Sequence, residues 1–141
     1  MEVTEVRIKL MGENRDRLQA FCSITFDGEF VIRDVKVIDG QRGLFIAMPS
    51  RKIMARCPNC EYKHEVRARF CSSCGARLPA DRSDDSGGRM YADIAHPINA
   101  DCREKIHAAV MKALQEERIR ASQPGYVCNY DDFDVDHSSD R

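Results

Sequence analysis

Two pairs of cysteines carry the clearest chemistry in this chain. Cys57-Pro-Asn-Cys60 is followed, ten residues later, by Cys71-Ser-Ser-Cys74-Gly75. Two intervening residues let both sulfurs of a pair turn toward one ion, and a glycine after the second pair permits the tight turn. Four thiolates complete the tetrahedral shell that structural zinc prefers. The ten-residue gap is enough for a single hairpin, and Glu61 to Phe70 alternates through Tyr62, His64, Val66 and Ala68 as one would. A segment this short cannot bury a core, so metal binding would supply its folding energy, about 10–16 kcal/mol in model fingers. The spacing predicts one structural Zn2+ per chain on Cys57, Cys60, Cys71 and Cys74. A rubredoxin-like iron centre could use the same four ligands, whereas a redox dithiol would need only one pair.

The other candidates for chemistry are weaker. Cys22 lies in a strand and Cys102 on the apolar face of a helix, where a thiol reads as a small hydrophobe. Cys128 falls in the acidic tail. His64 could substitute as a ligand but reads as a surface residue of the hairpin. His96 precedes Pro97 and suits a local hydrogen bond, while His107 and His137 read as solvated. The sequence shows no Ser/His/Asp set, phosphate-binding loop or paired acidic motif. The chain is therefore not expected to be an enzyme or to take a small-molecule substrate.

Charge is uneven along the 141 residues although the net is only -1. Residues 1–50 are balanced, with seven basic and eight acidic side chains. Residues 51–82 hold eight basic groups against three acidic ones, and the last sixteen residues carry five Asp and one Arg. A local surplus of Lys and Arg is what neutralises phosphates on a nucleic acid. It equally well solvates a small module.

These groups must be positioned by the surrounding elements. With 43% hydrophobic residues, most of the chain is expected to fold. Val3, Val6, Ile8 and Leu10 nearly alternate with charges, which predicts a strand with one solvated face. Asn14–Arg17 reads as a turn, and Leu18–Phe26 and Phe30–Ile38 as strands joined by the hairpin signal Asp27-Gly28. Asp39-Gly40 and Gly43 precede a fourth strand, Leu44–Met48. The expected fold class is α+β: an antiparallel β-meander with one C-terminal amphipathic helix, plus the inserted cysteine module. Asn99 suits the helix N-cap and Asp101 its first turn. Cys102, Ile106, Ala109, Val110 and Ala113 recur at helical spacing to about Ala121, before Pro124-Gly125. Residues 81–88 have linker composition, and 123–141 read as an acidic, disordered tail. No stretch approaches the roughly 18 apolar residues of a membrane span, and the acidic, amphipathic start does not read as a secretory signal. Seven cysteines without an export signal suggest a reducing compartment, so a cytoplasmic location with no membrane partner is expected.

Several blocks also resemble a known family. Met1-Glu-Val-Thr-Glu-Val-Arg7, Ser23-Ile-Thr-Phe-Asp27, Val37-Ile-Asp-Gly40, Gly43-Leu-Phe-Ile-Ala-Met-Pro-Ser50 and Asp93-Ile-Ala-His-Pro-Ile-Asn99 are similar to the SpoVG family of bacterial septation and sporulation regulators. The resemblance covers residues 1–52 and about 91–114. It implies a homodimer and a DNA- and RNA-binding regulator without enzymatic activity. It also implies nucleic-acid contacts from Arg51 and Lys52, after Met-Pro-Ser, and from Arg103 and Lys105 at the start of the following helix. In typical members a short loop joins these two regions; here about 35 residues carrying the cysteines replace it. The expected organisation is a discontinuous domain, 1–52 and 89–122, interrupted by a zinc ribbon at 53–80. Within the ribbon, Arg56, Arg67, Arg69 and Arg77 are further candidates for phosphate contact, with Arg67 and Arg69 expected on one strand face beside Arg77. A ribbon used only for protein contacts is the competing reading.

Overall fold

A computed structural model describes residues 1–12, 17–79 and 89–131. Most of the expected turn at Asn14–Arg17, the linker at 81–88 and the tail beyond Asp131 lie outside the described residues. Contacts divide the chain into two compact units, Met1–Pro49 with Ala95–Arg141, and Ser50–Ile94.

In the first unit, strands β1 (Val3–Leu10), β2 (Leu18–Phe26), β3 (Phe30–Gly40) and β4 (Gly43–Ala47) form an antiparallel sheet in sequence order. Asp27 and Gly28 adopt φ of 53° and 67°, the positive values that a type I′ turn needs at both central positions. Period-two alternation puts Ile8, Cys22, Ile24, Val35 and Val37 on one face of the sheet. There they pack against Ile106, Val110 and Leu114 of helix α1 (Ala100–Ala121), each within 4% of full burial. Burying this apolar stripe is what holds the helix on the sheet, at roughly 1.5–3 kcal/mol per large side chain. The Asn99 side chain accepts the Cys102 amide at 2.8 Å and caps the helix, and Asp101 sits in its first turn. As expected for a thiol inside that core, burial pushes Cys22 up to about 12.

The sheet has one irregularity with consequences. Cys22 pairs with Val35 but Ile24 pairs with Ile32, so Arg33 and Asp34 together face Ser23. This is a β-bulge, and Asp34 takes φ of 62° within it.

The segment after the helix departs from the expected disordered tail over residues 126–131. Tyr126 donates to Glu117 at 2.6 Å, and Arg120 donates to the Val127 carbonyl at 3.0 Å. The chain then passes β1, where Arg7 donates to the Asn129 carbonyl at 3.1 Å. Tyr130, 4% exposed, meets Asp34 beside Lys9 and Phe21, on the sheet face away from the helix. Acidic composition gives no hint of this, because the two tyrosines dock through residues that include some far away in the chain.

The second unit contains two short antiparallel pairs. β5 (Ser50–Lys52) pairs with β8 (Tyr91–Asp93), and β6 (Met54–Arg56) pairs with β7 (Lys63–Glu65). It therefore extends beyond the expected 53–80 at both ends, because β5 and β8 close the base of the insertion on each other. The hairpin also differs from expectation. Glu61 to Phe70 does not fold back on itself; Lys63–Glu65 instead pairs with residues preceding the first cysteine. A small separate core of Cys57, Cys71 and Leu78 lies beneath, flanked by Ala68 and Ala76.

Candidate metal centre

Each cysteine pair sits in a turn built in the same way. The Glu61 amide donates to the Cys57 carbonyl at 2.8 Å, and the Cys57 amide donates to the Tyr62 carbonyl at 2.8 Å. In the second turn the Gly75 amide donates to the Cys71 carbonyl at 3.0 Å, and the Cys71 amide donates to the Ala76 carbonyl at 2.8 Å. The residue after the second cysteine has positive φ in both, 67° for Glu61 and 79° for Gly75. Glycine adopts that conformation without strain and glutamate does not, so the first turn lacks the glycine signal yet has the same geometry.

The two turns bring four sulfurs together. Cys57, Cys60, Cys71 and Cys74 have their Sγ atoms all within 4.8 Å of one another. Cys57–Cys74 are 3.8 Å apart and Cys60–Cys71 3.5 Å. A tetrahedral shell with metal–sulfur bonds of about 2.3 Å has edges of about 3.8 Å, so the cluster has the dimensions of a zinc-type site. Cys57 and Cys71 are buried, while Cys60 and Cys74 are exposed.

Electrostatics around the sulfurs favour a cation. The Asn59 side-chain amide and the Ala76 backbone amide bring Cys74 down to about 6. At Cys71, burial pushes the thiol up, but the Cys74 and Ser73 amides outweigh it and the net shift is downward. Cys60 goes the other way, to about 11: the Tyr62 amide lowers it, but burial and the three neighbouring thiols together raise it further. Four clustered thiols cannot all ionise by themselves; a bound dication would deprotonate them outright. The residues present thus fit a tetrahedral metal in size, donor type and charge.

His64, expected on the surface, is instead buried at 7% exposure, with Nε2 3.0 Å from Cys71 Sγ. Its inward position follows from the alternation of Lys63, His64 and Glu65 along β7, a weak signal in so short a strand. Asn59 carries no sequence signal of a role beyond its place in the turn, yet it serves two sulfurs. Its backbone amide meets Cys57 at 3.4 Å and its side chain meets Cys74 at 3.4 Å.

The basic candidates are all exposed or half-exposed but differ in setting. Arg51 and Lys52 lie on β5, and Lys52 is ion-paired with Glu65. Arg56 ends β6 and donates to the Glu61 carbonyl at 3.2 Å. Arg67 and Arg69 do not share a strand face as expected: Arg67 lies in the turn after β7 and Arg69 in the following loop. Arg69 does come close to Arg77, because Phe70 bridges to Arg77 and the Leu78 amide donates to the Arg69 carbonyl. Arg103 and Lys105 are on the first turns of α1, in the other unit.

A four-stranded meander carrying one capped helix, with a module inserted between its last strand and that helix, defines an α+β protein with an added four-cysteine ribbon that could hold a metal ion. The SpoVG family model matches residues 1–116, and the chain belongs to the SpoVG family. It is 40% identical over 117 residues to a proposed septation protein SpoVG of Finegoldia magna, covering 83% of this chain and 77% of that one. A Thermoanaerobacter relative with the same name is 38% identical over 84% of this chain and 91% of its own length. One from Clostridium acetobutylicum is 40% identical over 82% and 86% respectively.

Proposed function

We propose that this chain is a nucleic-acid-binding regulator of the septation type, whose inserted ribbon is held by one zinc ion and supplies phosphate contacts of its own. The observation that carries this reading is the five-charge surplus of residues 51–82, the stretch that contains the four clustered cysteines. Arg51, Arg56, Arg67, Arg69 and Arg77 are available to neutralise phosphates, and Tyr62 and Phe70, 53% and 62% exposed, are available for stacking on bases. Arg103 and Lys105 at the helix start are the candidates for base contact, since phosphate contacts position and base contacts specify.

The functional unit is a homodimer. The α+β unit is small, a size at which one core is only modestly stable, and β4 leaves an open sheet edge on which Phe45 is 47% exposed. Light scattering at micromolar concentration is expected to give twice the chain mass, and a monomer would refute the dimer. Selection from random DNA and RNA pools with zinc-loaded protein tests the main reading. Enriched sequences bound with a steep salt dependence are expected; no enrichment and no salt slope would refute it.

The same exposed Tyr62 and Phe70 also favour a second reading, in which the ribbon docks on a protein. Affinity for such a partner would respond only weakly to salt.

A further inference from the structure

The four sulfurs are not equally served by hydrogen-bond donors. Cys71 Sγ faces the amides of Ser73 at 3.3 Å and Cys74 at 3.4 Å, and in addition His64 Nε2 at 3.0 Å. Cys57 faces the Asn59 amide, Cys74 the Asn59 side chain and the Ala76 amide, and Cys60 the Tyr62 amide, so Cys71 alone has a buried side-chain ring nitrogen against it. The imidazole is not a fifth ligand, since the four thiolates already fill a tetrahedral shell.

Its position is set from two sides. β7 pairs His64 with Ala55, which turns the side chain inward, and the ring packs at 54° against Tyr62 with centroids 5.0 Å apart. A metal-bound thiolate has no proton to give, so a contact of this length is favourable only when Nε2 carries the hydrogen. Four thiolates around a dication leave two negative charges, part of them on sulfurs shielded from water. A neutral N–H donor aimed at one of them stabilises that charge without competing for the metal.

We propose that His64 is a positioning residue of the metal centre, donating Nε2–H to the Cys71 thiolate so that the metal is held more tightly and Cys71 is shielded from electrophiles. This rests on the zinc reading above. Hydrogen bonding withdraws electron density from the sulfur lone pairs, which lowers its nucleophilicity, and it fixes the sulfur in place and stabilises the thiolate against the proton that competes with the metal.

The test uses the full chain loaded with zinc, and the His64→Leu and His64→Gln variants. Glutamine keeps an N–H donor of similar reach and leucine does not. Zinc affinity is read by competition with a chromogenic chelator, and the reactivity of each cysteine by mass mapping after partial alkylation with iodoacetamide. His64→Leu is expected to lose about tenfold or more in zinc affinity and to show selectively faster alkylation at Cys71, with His64→Gln close to wild type in both. If His64→Leu holds no metal at all, near-wild-type behaviour of His64→Gln still supports the donor role. Wild-type affinity and alkylation pattern in His64→Leu, or equal loss in both variants, overturns this inference and leaves the zinc reading standing. A wild-type chain that takes up no zinc overturns both.

Discussion

Tyr130 and Asp34, 96 positions apart in the chain, are joined by two hydrogen bonds through one hydroxyl. The Tyr130 oxygen accepts the Asp34 backbone N–H at 3.1 Å and donates to Asp34 Oδ1 at 3.2 Å. That N–H belongs to the bulged residue of β3 and has no place in the regular strand ladder. The segment after the helix therefore completes the hydrogen bonding of the sheet.

Tyr130→Phe isolates this effect, because the ring can stay under Arg33, now 5.1 Å from its centroid. Loss of the hydroxyl leaves a part-buried N–H without its acceptor and is expected to cost about 1–3 kcal/mol. Urea denaturation followed by the helical circular dichroism signal measures it. A variant as stable as the parent would show that the docked segment contributes nothing to the fold.

Zinc removal is expected to unfold only the ribbon. The core of Cys57, Cys71 and Leu78 is separate from the core of sheet and helix, and too small to persist without its metal. Metal analysis should give close to one zinc per wild-type chain and little in Cys57→Ser. Amide exchange in that variant should become fast over residues 54–78 while α1 stays protected. A full zinc complement in Cys57→Ser would exclude Cys57 as a ligand.

Stability should fall on mild acidification partly through Glu117. Burial pushes its carboxyl up, but hydrogen bonds from Arg120 at 2.7 Å and Tyr126 at 2.6 Å outweigh this and hold it below its usual value. A carboxyl depressed in the folded state stabilises the fold above its unfolded pKa, near 4.3, and that contribution disappears as pH falls through the folded value. Glu117→Gln should therefore be less stable than the parent at pH 7, with the difference shrinking below about pH 4. A constant difference across that range would mean that the charge is immaterial.

Replacing Arg67, Arg69 and Arg77 together by Ala should weaken binding to all nucleic-acid sequences alike. The salt slope should flatten by up to about one unit for each arginine that neutralises a phosphate. Unchanged affinity and slope, with zinc still bound, would assign the ribbon to protein docking.

Where structure depends on neighbours in the chain, it is legible in the residues alone. Alternation lays out the four strands, Asp27-Gly28 marks a turn whose φ values only certain residues adopt, and Asn99 caps the helix through an amide three residues away. The cysteine spacing likewise picks out the four sulfurs that the structure brings together, because a turn of two residues brings both sulfurs of a pair to one side. What depends on distant partners is decided by the tertiary structure. Glu61 takes the left-handed conformation with no glycine to announce it, because the turn of Cys57 and Cys60 closes with the same backbone hydrogen bonds as that of Cys71 and Cys74. His64 becomes a buried neighbour of Cys71 because β7 pairs with residues before the first cysteine. Tyr130 leaves an acidic, aperiodic stretch to satisfy a bulge in β3. Sequence pattern carries local conformational preference, whereas burial and hydrogen-bond completion between remote segments exist only once the chain has folded.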